Sequence, residues 1–190
     1  MIDDLDVARA AVRAASEAAL RLRDGPLDTE VKGSATDLVT AADHAAEAAA
    51  VELVRSERPR DGVLGEEGTL ISGPRHWIID GIDGTLAFVR RLPGWGSAIA
   101  LQQRGETLAS AVCDPLADEL FSGGGGSGSL ELAWLACGRI DGWIQHAPAP
   151  WDWEPGAILV AEAGGTVIVR GAWHIAGSPQ VAAELSALVV

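Results

Sequence analysis

The chain has 190 residues, with 27 Asp or Glu against 14 Lys or Arg, so its formal net charge is −13. This acidity argues against nucleic acid or an anionic membrane as partner, whereas bound metal ions could still recruit anionic substrates. No stretch approaches the roughly 20 apolar residues that span a bilayer, and the acidic N-terminus lacks a signal-peptide pattern. The two cysteines, Cys113 and Cys137, lie far apart, which favours a reducing, cytoplasmic setting.

The length fits one compact domain, and the first half of the chain predicts two helices followed by strands. Apolar residues recur near helical spacing over 3–23, and RDGPLD ends that helix. A second helix is predicted from Thr40 to about Glu57, because TAAD resembles a capping box. Four apolar runs then predict strands at GVL, WIID, WGSAIALQQ and TLASAVCDP, the last two joined by a tight turn.

The second half of the chain continues to alternate between helices and strands. The pattern predicts a helix over 129–139, a strand at GWIQ, and a helix that begins just after Asp152 with Pro155 in its first turn. Strands at TVIV and HIAG and a last helix over 179–189 follow. Such alternation predicts a layered α/β fold.

One segment, SGGGGSGS at 122–129, has the composition of a flexible linker. It divides the chain into an N-terminal α/β part (1–122), a Gly/Ser-rich connection (123–129) and a C-terminal α/β part (130–190), which together are expected to form one compact domain. Three explanations of this segment remain. The chain is naturally compact, or a segment was excised and bridged by Gly and Ser, or disordered residues were left out of the sequence.

Two acids, Asp80 and Asp83, follow the apolar run HWII and precede Gly84 and Thr85. Neighbouring carboxylates repel each other when both are ionised, so the pair needs a partner. Mg²⁺ prefers oxygen ligands, and the two carboxylates with the Ile82 carbonyl supply them. If a helix begins at Gly84, its free N–H groups form a binding site for a phosphate. A metal site beside a phosphate-binding site indicates phosphoryl transfer.

Further acids stand in three other places: Glu66 and Glu67 in GEE, Asp152 in WDWEPG, and Asp37 and Asp43 flanking LVTAA. Taken alone, GEE is typical of a solvated surface, DGIDGT of a turn, and WDWEPG of an aromatic core with a capping Asp. Their joint occurrence in this order favours a metal site instead. The sequence therefore predicts that acids from separated segments converge.

An alternative motif belongs to the aspartate-nucleophile phosphatases of the haloacid-dehalogenase type, which carry DxDGT after an apolar strand. Here two residues, not one, separate the acids in DGIDGT. Alternate residues of a strand share a face, so a spacing of three requires a bend. The spacing therefore argues against that alternative.

Together, GEE at 65–67, DGIDGT at 80–85 and WDWEPG at 151–156 resemble the motifs of the inositol monophosphatase family. This family comprises Mg²⁺-dependent, often lithium-sensitive phosphatases of sugar phosphates and nucleotides. KGSATDLVTAAD, LELAWLACGRIDGW and AEAGG also match in type and order, so the resemblance spans nearly the whole chain. It implies a layered αβαβα sugar-phosphatase fold, with part of the central region missing or replaced by the Gly/Ser connection.

The resemblance implies two or three Mg²⁺ ions in the site. Glu66, Asp80 and the Ile82 carbonyl would bind the first ion, and Asp80, Asp83 and Asp152 the second. Glu66 would also face a weaker third ion. In the family, the ions activate the attacking water and stabilise the leaving oxygen, and no covalent enzyme intermediate is needed.

The resemblance also implies phosphate-binding and catalytic roles. The N–H groups of Gly84 and Thr85 would bind the phosphate, and Thr85, hydrogen-bonded to Asp37, would orient the attacking water. Asp37, Glu66 and Thr85 are thus the expected catalytic residues. Asp43 and Lys32 would lie nearby as supporting charges.

The resemblance aligns Gly126, Ser127 and Gly128 with a family loop that contacts the alcohol half of the substrate. Gln145 stands where inositol-specific members carry a Glu that binds substrate hydroxyls, which weakens the case for inositol phosphate itself. Gly81 replaces the usual Pro of the DPIDGT motif, and this Gly predicts a less preorganised metal loop.

The expected function is Mg²⁺-dependent hydrolysis of a small phosphorylated alcohol by metal-activated water. The substrate stays open between an inositol-phosphate-like, a histidinol-phosphate-like and a sugar-phosphate compound. The alternative is a catalytically weak metal- or phosphate-binding scaffold of the same fold. The expected partner is a small phosphate ester, without nucleic acid or membrane. A homodimer is an option, although the shortened region helps to form the dimer in family members.

Overall fold

The computed structural model describes residues 3–27, 29–31, 38–123 and 130–189. The helices within these residues are α1 (Asp4–Arg23), α2 (Ala41–Glu57), α3 (Thr85–Val89), α4 (Leu130–Ala136), α5 (Pro150–Glu162) and α6 (Pro179–Ala187). The strands are β1 (Thr29–Val31), β2 (Leu38–Thr40), β3 (Gly62–Gly65), β4 (Leu70–Ile71), β5 (His76–Asp83), β6 (Gly96–Gln103), β7 (Glu106–Asp114), β8 (Glu119–Gly123), β9 (Gly142–His146), β10 (Thr166–Arg170) and β11 (Trp173–Gly177).

The larger sheet has six strands in the order β4-β3-β5-β6-β7-β8. Within it, β3 and β5 run parallel, and the other neighbouring pairs are antiparallel. A second, antiparallel sheet has the order β10-β11-β9, and β1 pairs with β2. Because β3 and β5 are parallel, their carboxyl ends meet at one edge of the larger sheet, where GEE and DGIDGT follow.

The helices and sheets stack in five layers. α1 and α2 cover one face of the larger sheet, where Trp77, Ile99 and Leu101 are fully buried. α4 and α5 cover its other face, on which Ala98 packs beside Leu159. α5 also contacts the smaller sheet, and α6 packs on that sheet's far side. This arrangement confirms the predicted αβαβα fold.

α1 shows how local sequence sets a helix and its orientation. The Asp3 side chain caps the helix by accepting the Asp6 N–H at 2.7 Å, acids occupy the first turn, and Arg21 and Arg23 lie in the last. Acids near the N-terminus and arginines near the C-terminus both interact favourably with the helix dipole. One face is buried and the other is charged, as the spacing predicts. Within the described part of the chain, no helix is long and apolar enough to cross a membrane.

The second helix begins where the sequence predicts. The Thr40 hydroxyl accepts the Ala42 N–H at 3.1 Å, and the Asp43 carboxylate accepts the Thr40 N–H at 2.7 Å. These reciprocal bonds form the capping box that TAAD predicts, with Asp in place of Glu. The same bonds hold Asp43 in one position at the start of α2.

Several helix boundaries differ from the prediction, among them the end of α6, which lies at Ala187 instead of 189. α5 begins at Pro150, before Asp152 rather than after it, because a proline suits the first helical position. Asp152 then lies in the first turn, where its carboxylate accepts the Ala149 N–H at 3.0 Å, and Pro155 lies inside the helix. α4 ends at Ala136 instead of 139. The pairing of β1 with β2 was not predicted.

Candidate active site

The first part of the site is the end of β5, which carries Asp80 and Asp83. The pairing of β5 with β6 shifts register between these two residues, which marks a β-bulge. The bulge is the bend that their spacing of three requires, because it turns both carboxylates towards one point. Asp152 reaches the same point from the first turn of α5, and one oxygen from each of the three carboxylates lies within 4.8 Å of the others.

Glu66 approaches the cluster from the turn that follows β3. Its backbone N–H donates to the Ile79 carbonyl at 3.1 Å, which ties this turn to β5. Its carboxyl group is close enough to hydrogen-bond the Asp80 carboxyl, and its charge contributes to raising the Asp80 pKa. The structure therefore brings together four of the predicted metal-site acids from three separated segments.

Burial and mutual repulsion disfavour the ionised forms of the carboxyl groups in this cluster. Burial, followed by the charges of Glu66 and Asp83, raises the pKa of Asp80 well above its usual value. Burial, followed by the charge of Asp152, raises the pKa of Asp83 to about 7, although the Leu130 N–H works against this shift. Burial also raises the pKa of Asp152.

The most buried acid of the cluster also has an unsatisfied oxygen. Asp80 is only 3% exposed, and its Oδ1 atom accepts no hydrogen bond from the part of the chain described. Burying an oxygen without a hydrogen-bond partner costs free energy, and a cation bound to that oxygen would offset this cost. The donor set of carboxylates and a nearby carbonyl fits a hard cation such as Mg²⁺.

The start of α3 lies next to this cluster. Gly84 adopts φ 92°, and a Cβ atom there would lie 2.7 Å from the Gly94 carbonyl oxygen, so only glycine fits. The turn at Gly84 leads β5 directly into α3. A helix leaves its first N–H groups without intrahelical partners. Gly84, the residue that precedes α3, lies with Asp83 in the wall of the cleft.

Among the described residues, the side-chain hydrogen-bond partner of Thr85 is Asp43. The Thr85 hydroxyl donates to the Asp43 carboxylate at 2.9 Å and also approaches the Ile82 carbonyl at 3.2 Å. Asp43 is buried, and its other oxygen is fixed by Thr40. Asp37, the predicted partner of Thr85, lies outside the described residues and stays a prediction.

Glu47 was not predicted to belong to the site. It lies one helical turn after Asp43 on α2, it is buried, and its carboxylate accepts the N–H groups of Glu67 at 2.6 Å and Thr69 at 3.2 Å. These bonds fix the turn that carries Glu66. A charged residue four positions after Asp43, among the alanines of α2, was the available signal.

Ser97 was also missed. Its hydroxyl is fully buried, donates to the Gly81 carbonyl at 2.8 Å and accepts from Ser16 at 2.9 Å. A Cβ atom at Gly81 would lie 2.7 Å from the Glu47 nitrogen, so α2 packs directly onto this glycine. Two contacts thus hold the bulge, whereas the glycine alone predicted a loosely organised loop.

The site opens into a cleft of about 240 Å³. It is lined by Asp83, Gly84, Gly94, Leu130, Glu131, Trp134, Gln145 and Asp152. The side chain of Gln145 forms a hydrogen bond with Asp152, which lowers the Asp152 pKa against the effect of burial. The other predicted substrate-binding residues, Gly126, Ser127 and Gly128, lie outside the described residues, as does Lys32.

The inositol monophosphatase family model matches residues 3–129 and 124–184 of the chain. The chain therefore belongs to the inositol monophosphatase family. The two matched segments meet at 124–129, which lies within the Gly/Ser connection.

Individual relatives match over most of their length. The chain is 28% identical to Nus factor SuhB of Escherichia coli K12 over 246 residues, which covers 93% of this chain and 92% of that protein. It is 31% identical to the inositol-1-monophosphatase of Rhizobium meliloti, covering 73% of this chain and 74% of the relative. The crystal structure of the extragenic suppressor protein SuhB from Bartonella henselae superposes with a TM-score of 0.89 at 25% identity, covering 96% of each chain.

Proposed function

We propose that the protein is a Mg²⁺-dependent phosphomonoesterase that hydrolyses a small phosphorylated alcohol. Membership of a family with named phosphatases supports this class of activity. The observation that carries the proposal is the convergence of Asp80, Asp83 and Asp152 around one point, with a buried Asp80 oxygen that accepts no hydrogen bond from the described residues. Three acids held this way need a cation, and the start of α3 lies beside them.

The acids divide between the ions as the family resemblance implies. In this proposal Glu66, Asp80 and the Ile82 carbonyl hold one Mg²⁺, Asp80, Asp83 and Asp152 hold a second, and Glu66 faces a weaker third. When bound, Mg²⁺ supplies an activated water and neutralises charge on the phosphoryl and leaving oxygens.

The chain's own groups bind and orient the reactants. Backbone N–H groups of Gly84 and Thr85 bind the phosphate oxygens. Because the Thr85 hydroxyl donates its only proton to Asp43, its lone pairs face outward and can accept a hydrogen bond from the attacking water. The new bond joins the water oxygen to phosphorus, the bond from phosphorus to the alcohol oxygen breaks, and a proton from water ends on that alcohol.

The remaining assignments complete the proposal. Asp37 stays a predicted catalytic residue, and Gly126, Ser127 and Gly128 stay predicted contacts of the alcohol. Gln145, a predicted substrate contact, lines the cleft and forms a hydrogen bond with Asp152. The homodimer and the cytoplasmic setting are likewise proposals, as is the union of 1–122 and 130–190 in one catalytic unit.

The test is phosphate release from a panel of small phosphate esters, with Mg²⁺ and with a chelator. We expect turnover with Mg²⁺ that the chelator abolishes. Asp80→Asn, which keeps the side-chain shape but removes the shared anionic ligand, should reduce kcat/KM by about 10²–10³-fold or more. Glu162→Gln, an exposed substitution on α5, should leave turnover unchanged. Undiminished turnover in the Asp80 variant would defeat the proposal.

The second candidate is a metal- or phosphate-binding scaffold with little turnover. Several relatives carry the name Nus factor SuhB and not the name of an enzyme, which motivates a direct comparison. A scaffold would still be stabilised by Mg²⁺, because binding to the folded state raises Tm. It would release no phosphate from any ester, and that combined result would favour it over the enzyme.

A further inference from the structure

The cleft wall beyond the proposed metal centre determines which alcohol the site accepts, so this inference rests on the proposed function. Asp83, Gly84 and Asp152 belong to the metal and phosphate centre. The remaining lining side chains that offer a charge, a ring or an amide are Glu131, Trp134 and Gln145. These three therefore face the organic half of a substrate whose phosphate lies at the cluster.

Glu131 is a fixed carboxylate. It lies in the first turn of α4, directly after Leu130, whose N–H donates to Asp83 at 3.3 Å. One of its oxygens accepts the Trp143 indole N–H at 2.9 Å, which orients the side chain. Glu131 is exposed, and its carboxylate lies close enough to Asp83 to contribute to the raised pKa of that group.

Trp134 lies three residues after Glu131, so the two side chains project from one face of α4 into the same cleft. An aromatic face attracts cations, and a nearby carboxylate strengthens that attraction. Gln145 is neutral and is already bonded to Asp152. The described residues that line the cleft include no Lys, Arg or His side chain.

We propose that the leaving group of the substrate carries a positively charged amino group, which the Glu131 carboxylate and the Trp134 ring recognise. The preferred substrate class is therefore the phosphate monoester of an amino alcohol. A second phosphate on the leaving group would face Glu131 without a compensating side chain among the lining residues, so the same wall disfavours bisphosphates.

The test compares three matched esters: 2-aminoethyl phosphate, 2-hydroxyethyl phosphate and ethane-1,2-diol bisphosphate. With Mg²⁺ present, kcat/KM for the amino ester should exceed that for the hydroxy ester by about tenfold, and the bisphosphate should be the poorest substrate. In Glu131→Gln the ratio of kcat/KM for the amino ester to kcat/KM for the hydroxy ester should fall to about one. Glu162→Gln should keep the wild-type ratio. The Gln side chain can still accept the Trp143 N–H, so folding should be preserved, which a melting curve checks.

Trp134→Leu serves as a second variant, and it should also reduce the preference for the amino ester. Equal kcat/KM for the amino and hydroxy esters in the wild-type protein would overturn the inference and leave the phosphatase proposal standing. A preference for the bisphosphate, or a preference for the amino ester that survives in Glu131→Gln, would overturn it as well. If no ester is hydrolysed, the proposed function fails and this inference fails with it.

Discussion

Two aspartates in the same sequence stretch are candidates for the role beside Thr85. Asp37 and Asp43 flank LVTAA, and sequence alone offers no geometric reason to prefer one. In the structure the Thr85 hydroxyl donates to Asp43, which the capping box of α2 holds in place. The capping motif, which predicted the start of α2, therefore also positions the acid that orients Thr85.

Asp43→Asn should lower kcat by about 10²-fold or more, because the amide weakens the bond that orients the Thr85 hydroxyl. The matched control is Asp3→Ala, which removes the exposed side-chain cap of α1 and leaves the capping box around Asp43 intact. That control should cost about 1 kcal/mol of stability with little effect on kcat. Phosphate-release kinetics on Asp37→Asn complete the comparison, and a larger kcat loss there than in Asp43→Asn would contradict the assignment.

Glu47 acts on the cluster without touching it. In Glu47→Gln one of the two backbone N–H groups loses its acceptor, so the turn that carries Glu66 becomes less well fixed. We expect a several-fold higher Mg²⁺ concentration for half-maximal activity and a stability loss of about 1–3 kcal/mol. Glu52→Gln, an exposed substitution on the same helix, should change neither quantity. An unaltered Mg²⁺ requirement in Glu47→Gln would show that Glu47 only stabilises the fold.

At the scale of elements, α2 and β6 together hold the metal loop. α2 supplies Asp43 to Thr85 and Glu47 to the turn after β3, and its backbone packs onto Gly81. β6 supplies Ser97, which anchors the carbonyl between Asp80 and Ile82. The bulge in β5 is therefore defined by its neighbours, although its own sequence is flexible.

Ser97→Ala should weaken the site through this anchor. The substitution leaves the Gly81 carbonyl and the Ser16 hydroxyl buried without their partner, at a cost of about 1–3 kcal/mol. Half-saturation by Mg²⁺ should shift to higher concentration. Ser110→Ala is the control, because Ser110 is also a fully buried serine of this sheet but makes no hydrogen bond with the described residues. Equal effects of the two substitutions on Mg²⁺ half-saturation would argue against the anchor.

Sequence patterns predicted most elements because their signals are local. A capping box marks α2, and alternating apolar runs joined by a tight turn mark β6 and β7. The start of α5 was placed too late because Asp152 was taken as the residue before the helix, whereas its carboxylate caps from inside the first turn. The β1–β2 pair was missed because each strand has only three residues.

At the scale of the whole molecule, the cluster makes stability depend on pH. The ordinary pKa of an aspartate is 3.8, and that of Asp83 in the folded protein is about 7. Between these values the folded state binds more protons than the unfolded state, so raising the pH lowers the free energy of unfolding. Asp80 contributes with the same sign, because its pKa is also raised.

We therefore expect Tm of the metal-free protein, measured in a chelator, to fall between pH 5 and pH 8. The fall should be shallower in Asp83→Asn, which cannot ionise. Added Mg²⁺ should raise Tm more at pH 8 than at pH 5, because metal binding requires deprotonated ligands. A wild-type Tm that rises across this range, or the same slope in both proteins, would contradict the electrostatic account.

The ordered motifs predicted the family and the converging acids. They did not predict the residues that support the site, Glu47 and Ser97. GEE, DGIDGT and WDWEPG pair acids with glycines or tryptophans in combinations that are rare by chance. Glu47 and Ser97 are single polar residues within otherwise apolar stretches, and only three-dimensional packing reveals their partners. The division at 123–129 stays a prediction, supported by a family match that breaks within 124–129.

The central claim is that carboxylates from three segments bind divalent cations at one point. The most direct measurement is a crystal structure with Mn²⁺, which substitutes for Mg²⁺ at oxygen sites and is located by its anomalous scattering. The account predicts at least one anomalous peak within about 2.0–2.6 Å of an Asp80 oxygen, shared with Asp83, Asp152 or Glu66. A saturated crystal with no peak between these carboxylates would contradict it.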